Sequence, residues 1–195
     1  HFLIKLKQFV EGMLWFRNLD VREFIGLETK VVMLEEYIIS NHYLEEFKNF
    51  LKNVSGQTFE MVSDASGKQI LCKIDDTVIP FQTIASTGTL SLQMLFYWIK
   101  RMGNEASFVF IDEFDAFYHF ELAESIVSIL EKMNHTQVVL TSHNTNLLTN
   151  KIMRPDCYFI LTKDKLTALA NATTRELREG HNLEKLYMSG EFYGQ

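Results

Sequence analysis

Two carboxylates close one apolar run of this chain, and a histidine closes another. Phe108-Val109-Phe110-Ile111 is followed at once by Asp112-Glu113. In open α/β sheets, ligands bind beyond the carboxyl ends of the strands, so an acid there can reach a metal ion. A second, adjacent acid can orient and deprotonate an attacking water. The plainer alternative is an ordinary strand ending in a polar turn. Val138-Val139-Leu140 leads in the same way into Thr141-Ser142-His143-Asn144. The interval between the two runs has room for one strand–helix–strand crossover. That connection makes the strands parallel neighbours with both ends on one edge. A neutral imidazole at such an edge can hydrogen-bond a phosphate or a water. Taken alone, His143 reads better as a cap for the helix expected near Asn144; paired with Asp112-Glu113 it reads better as a site residue.

A third segment, Ala85-Ser86-Thr87-Gly88-Thr89, opens a strongly apolar stretch from Leu90 to Met102. Small hydroxyl residues and a glycine at a helix N-terminus present free N–H groups and the positive end of the dipole, which suits an anion. Ser and Thr are also favoured there as N-caps for stability alone.

The elements that must position these residues follow from periodicity. Phe2 to Phe16 carries apolar residues at helical spacing and predicts a helix over 2–17, broken at Asn18 to Asp20. Further helices are expected over Glu28 to Ile39 and Tyr43 to Val54, ended by Ser55-Gly56. Thr58 to Val62 and Gln69 to Ile74 alternate on either side of a Ser-Asp-Ala-Ser-Gly turn and predict a hairpin, with a short strand at Val78 to Phe81. Helices are expected over Leu90 to Met102, stopped by Gly103-Asn104, and over Glu121 to Met133. Cys157 to Leu161 and Leu166 to Ala170 read as a closing strand pair. Apolar strands without polar alternation, interleaved with helices, predict an α/β fold whose parallel sheet is covered on both faces.

Composition bounds the rest. With 195 residues, 47% apolar and 23% charged, the chain has enough apolar surface to fold and is neither disordered nor low in complexity. No apolar run approaches the ~20 residues that cross a bilayer. A net charge of −6 disfavours wrapping nucleic acid; nucleic-acid contact is otherwise left open. Cys72 and Cys157 form neither a metal spacing nor a disulfide framework, which fits a reducing cytosol, and Cys157 is expected in the core.

Taken together and in their order, the three segments resemble the ATP-binding cassette class of ATPases and its SMC-like relatives. Ser86-Thr87-Gly88 falls at the signature core, Asp112-Glu113 at the Walker B end and His143 at the switch histidine. Asp112-Glu113-Phe114-Asp115-Ala116-Phe117-Tyr118-His119 is similar to the Asp-Glu-Pro-Glu-x-x-Leu-His of one branch. That branch comprises AAA-family ATPases of the ABC type from bacterial abortive-infection and phage-defence loci. Phe114 replaces the branch's proline, and Thr87 and Thr89 stand where transporters have Gly and Gln. Arg175 to Tyr187 and the glycine-containing tail Gly190 to Gly194 resemble the branch's closing segment.

The resemblance covers about the last 110 residues. It implies residues 83–195 as the C-terminal half of an ABC-type P-loop ATPase sheet with flanking helices. Residues 1–82 would form a helical arm or lid with the β-hairpin. It implies ATP and Mg²⁺ as cofactors, Asp112 as the magnesium-associated acid, Glu113 and His143 as catalytic, and His119 at the D-loop position. Ser86, Thr87, Gly88 and Thr89 would contact the nucleotide of a second copy in a head-to-tail dimer. A cytoplasmic setting and a separate effector or toxin partner follow from the same branch.

No Gly-x-x-x-x-Gly-Lys-[Ser/Thr] occurs in the chain; Gly67-Lys68 has Val62 at the first position and Gln69 at the last. The phosphate loop is therefore expected on a segment preceding His1 or on another polypeptide, and the 195-residue chain alone is expected to be inactive. With the upstream strands also expected to be absent, the sheet is expected to carry an exposed apolar edge. The competing expectation is a truncated or degenerate cassette that acts as a non-catalytic interaction module.

Overall fold

A computed structural model describes residues 2–16, 24–26, 33–102, 106–116 and 118–192. The break expected at Asn18 to Asp20, the beginning of the helix expected from Glu28, and the Gly103-Asn104 stop lie outside these residues. So does the end of the glycine-containing tail. The chain forms two compact units, His1–Ser142 and His143–Gln195. The boundary expected at residue 82 falls inside the first of them.

The first unit opens with helix α1 (Phe2–Glu11), none of whose residues is buried. It ends at Gly12, whose N–H bonds the carbonyls of Gln8 and Phe9. The next four residues depart from the expected helix and form strand β1 (Met13–Phe16). A run of four apolar residues has no periodicity of its own, so its pairing partners decide its state. β1 pairs antiparallel with β2 (Phe24–Gly26) on one side. On the other it pairs in parallel with the strand Phe108–Ile111, with Leu14 opposite Val109 and Phe16 opposite Ile111.

Two helices follow, α2 (Leu34–Ser40) and α3 (Leu44–Ser55). α3 has Glu45 and Glu46 in its first turn and Lys52 in its last, the distribution the helix dipole favours. Its buried residues Phe47, Leu51 and Val54 lie on one face at helical spacing. Gly56, with φ of 70°, closes it by bonding Lys52 O, a left-handed cap that a side chain would strain. The expected hairpin region forms the three-stranded meander β3 (Glu60–Ser63), β4 (Ile70–Ile74) and β5 (Thr77–Pro80). Asp64 organises its first turn by accepting the N–H groups of Lys68 and Gln69 at 2.8 and 3.0 Å. Buried Glu35 of α2 accepts the N–H of Ile70 at 2.8 Å and so ties that helix to β4.

After the short α4 (Phe81–Ile84) comes α5 (Thr87–Met102), buried without interruption from Ser91 to Trp98. Aromatic rings from several elements pack around it. Phe96 meets Phe47 at 5.2 Å and Phe50 at 5.4 Å, Tyr97 meets Tyr37 at 4.7 Å, and Trp98 meets Phe16 of β1 at 5.1 Å. Offset and edge-on geometries of this kind add to the burial itself. At the solvent end, Lys100 lies 4.8 Å from the Tyr43 ring centre and pairs with Glu46.

β6 (Phe108–Ile111), α6 (Phe120–Leu130) and β7 (Gln137–Leu140) form the expected strand–helix–strand crossover. β6 and β7 are parallel neighbours, with Phe108 opposite Gln137 and Ile111 opposite Leu140. The sheet order is β2-β1-β6-β7. The chain thus supplies two further strands to this sheet, β1 beside β6 and β2 beyond it, where periodicity gives a helix end and no element. Leu14, Phe16, Val109 and Ile111 make one buried face. The other face, with Phe110 and Val139 half-buried and Trp15 37% exposed, is covered only in part, short of the burial expected on both sides.

The second unit packs around Tyr158, Leu169, Ala172, Leu183 and Phe192. It contains a 3₁₀ turn at Thr145–Leu147, the strand pair β8 (Phe159–Leu161) and β9 (Leu166–Ala168), and helix α7 (Leu183–Met188). The Tyr158 hydroxyl donates to Leu147 O at 2.7 Å. Asn150 Nδ2 gathers the carbonyls of Arg178, Glu179 and His181 at 3.1–3.2 Å, which folds the closing segment back. Cys157, expected in the core, is exposed in a 3₁₀ turn, because the buried position in this run belongs to Tyr158. No helix among the described residues is long and apolar enough to cross a membrane.

Candidate functional site

Strand β6 ends where the two acids begin, and each is held differently. The N–H of Asp112 donates to Phe16 O at 2.9 Å, so the acid continues the register of the parallel β1–β6 pair. Its carboxylate oxygen Oδ1 accepts the hydroxyl of Thr141. Glu113 leaves the strand. Its backbone has φ of 47°, in the left-handed region that side chains rarely adopt. Its N–H donates to the same Thr141 hydroxyl at 2.8 Å, and the N–H of Phe114 donates to Thr141 O at 3.1 Å. Phe114 itself is buried and anchors the turn, where the resembled branch has proline. One residue further, Ser142 Oγ donates to Asp115 Oδ2 at 2.7 Å.

The left-handed backbone at Glu113 costs roughly 1–3 kcal/mol, which neighbouring bonds must offset. It turns the glutamate out of the strand, exposed at the carboxyl edge, while Asp112 stays half-buried beside it. The pair therefore offers one fixed carboxylate and one that projects to solvent. That suits an acid that holds a cation beside one that works on water.

Sequence reasoning noticed Thr141 only as part of a polar strand end and assigned it no role. The register contained the signal. Ile111 stands opposite Leu140, so the next pair in line is Asp112 and Thr141.

The other expected residues fall into separate settings. Ser86 is the N-cap of α5: its Oγ accepts the N–H of Thr89 at 3.2 Å, and its carbonyl accepts that of Leu90 at 2.9 Å. Thr89 is buried, its hydroxyl 2.9 Å from Ser86 Oγ and donating to Gln57 Oε1 at 3.0 Å. Gln57 had not been singled out. Ser86 and Thr87 are exposed and Gly88 half-exposed, so the accessible part of this segment is the first turn itself. His119 is exposed and occupies the N-cap of α6, where its carbonyl, and not its imidazole, accepts the N–H groups of Leu122 and Ala123. His143 is exposed and opens the second unit. The helix expected from Asn144 is a single 3₁₀ turn, capped by the Asn144 side chain accepting the N–H of Asn146 at 3.2 Å.

Among the described residues, no cluster of three or more His, Cys, Asp or Glu side chains could hold a metal. A cation at the β6 end would therefore depend on Asp112 together with oxygens brought by a ligand and water. This is the way Mg²⁺ is held in phosphate sites, through one or two carboxylates plus substrate phosphates.

A family model described as "AAA domain, putative AbiEii toxin, Type IV TA system" matches residues 45–149. That span includes Ser86 to Thr89, both acids, Thr141 and His143. No curated protein matches the chain. Among solved structures, the chain is similar to the Smc head domain with an extended coiled coil bound to the C-terminal domain of ScpA, from Pyrococcus furiosus. The identity is 17% and the TM-score 0.38, over 55% of this chain and 30% of that one. The chain thus spans less than a third of that structure's length.

Proposed function

The chain belongs to this family of AAA domains, and from that premise we infer that the intact protein binds and hydrolyses ATP as an ABC-type ATPase. The observation that carries this reading is the end of β6. Two adjacent acids follow an apolar strand, and the second is turned into the left-handed region and bonded to the neighbouring parallel strand. P-loop ATPases need an acid at such a strand end for Mg²⁺ and a group beside it that orients the nucleophile.

The roles divide along this geometry. Asp112, with Oδ1 taken by Thr141, would hold Mg²⁺ through its other oxygen. Bound there, Mg²⁺ would supply neutralisation of charge on the phosphate oxygens. Glu113 would orient the attacking water and take its proton. His143 would hydrogen-bond the γ-phosphate. Ser86, Thr87 and Gly88 would meet the nucleotide of a second copy through the free N–H groups of the first turn of α5, with Thr89 fixing that turn from inside. His119 would stand at the dimer contact that the D-loop makes. The phosphate loop would come from an N-terminal segment beyond these 195 residues or from a separate chain. In this reading the head-to-tail dimer closes on ATP and opens on hydrolysis. It is a cytoplasmic switch in a bacterial defence system, with a separate effector protein as its output.

The test uses the intact protein. Glu113→Gln is expected to lower ATP turnover by about 10²–10⁴-fold while ATP stays bound. Unchanged turnover would sink the assignment.

A second reading, a non-catalytic interaction module, draws on α1, where Phe2, Leu3 and Ile4 are 64–75% exposed. It predicts an intact wild-type protein with no ATP turnover and a partner held by that helix.

A further inference from the structure

The hydroxyl of Thr141 is used in both directions. Its proton goes to Asp112 Oδ1, and its lone pair receives the N–H of Glu113 at 2.8 Å. The backbone of the same residue adds two bonds: its N–H donates to Ile111 O at 3.0 Å, and its carbonyl accepts from Phe114 at 3.1 Å. The one residue just past β7 thus binds four consecutive residues at the neighbouring strand end, 111 to 114. Only two of these bonds need the side chain, and those two reach the two acids.

We propose that Thr141 is the positioning residue of this site, its hydroxyl selecting which oxygen Asp112 presents and holding Glu113 in its left-handed conformation. The inference rests on the ATPase reading for its kinetic consequence, but its geometry stands apart from that reading. The reasoning is one of competing states. A carboxylate with one oxygen engaged has lost its freedom to flip, so a cation meets a single preset oxygen. A non-glycine residue with φ of 47° relaxes to an ordinary conformation unless the peptides on both sides of it are held. The Glu113 N–H to Thr141 hydroxyl bond fixes the peptide plane that enters Glu113, and the Phe114 N–H to Thr141 O bond fixes the plane that leaves it, so the two together clamp the left-handed residue. Valine has the shape and the β-branch of threonine and lacks both hydroxyl bonds. Serine keeps both hydroxyl bonds and loses only a methyl.

The experiment compares Thr141→Val, Thr141→Ser and Glu113→Gln in the intact protein. Displacement of a reacting group by ~1 Å costs up to about 10²-fold. Thr141→Val is therefore expected to lower kcat by about 10–100-fold, with KM for ATP changed less than about threefold, and to raise the Mg²⁺ concentration for half-maximal rate. Thr141→Ser is expected to restore kcat to within about threefold of wild type, with thermal midpoints similar in all three. A wild-type kcat in Thr141→Val, or no rescue by Thr141→Ser, overturns the proposal while a Glu113→Gln loss leaves the ATPase reading intact. If the wild type or Glu113→Gln shows that the ATPase reading itself fails, a crystal structure of Thr141→Val still decides. Asp112 rotated and Glu113 out of the left-handed region supports positioning; unchanged geometry overturns it.

Discussion

The N–H of Asp112 bonds the carbonyl of Phe16 at 2.9 Å, and the ring of Phe16 lies edge-on against Trp98 at 5.1 Å. The acid at the centre of the site is therefore registered by a strand early in the chain, and that strand is seated on α5.

Phe16 is fully buried, so Phe16→Ala is expected to cost about 3–5 kcal/mol, the range for deleting a core aromatic ring. Urea unfolding of the first unit's signal would measure it. A cost under about 1 kcal/mol would mean that β1 is not seated on α5 as described.

Ser86 separates a stabilising cap from a nucleotide contact. Ser86→Ala removes the acceptor for the Thr89 N–H and should cost about 0.5–2 kcal/mol. Ser86→Asp keeps a good cap and adds a negative charge where an anion would sit. If the segment contacts ATP, Ser86→Asp holds the thermal midpoint and loses turnover. Retained turnover would leave Ser86 a cap alone.

Glu35 gives a pH dependence of defined sign. Burial pushes its carboxyl above the ordinary glutamate value, and nearby Asp64 adds to this. The bond from Ile70 and the nearby Gln82 side chain oppose the shift without cancelling it. A carboxyl raised on folding contributes stability fully below its unfolded value and loses it as pH rises through the folded one. Glu35→Gln should accordingly be more stable than wild type near pH ~8, with the gap shrinking towards pH ~4, below the ordinary value. Thermal melts across that interval would check it, and a gap that widens on acidification would contradict it.

Much of the site's chemistry was legible in the residues. Apolar runs ending in Asp112-Glu113 and in Thr141-Ser142-His143 mark strand ends, and the crossover between them follows from length and handedness. Ser86 before the Leu90 stretch marks a helix start. The meander and α3 followed from alternation and from a one-sided apolar stripe, both properties of consecutive residues.

Pairing across the chain was not legible, because it depends on partners far away in sequence. Met13 to Phe16 reads as the end of a helix until Phe108 to Ile111 lies beside it, since four apolar residues satisfy either period. The one-sided burial of the sheet follows from which helices reach each face. The left-handed turn at Glu113 and the two bonds of the Thr141 hydroxyl exist only once β6 and β7 are in register. Local patterning, then, chose the side chains and the elements that carry them. Long-range backbone pairing chose their orientation, since a hydrogen bond between strands is specified by register, a property that no single segment possesses.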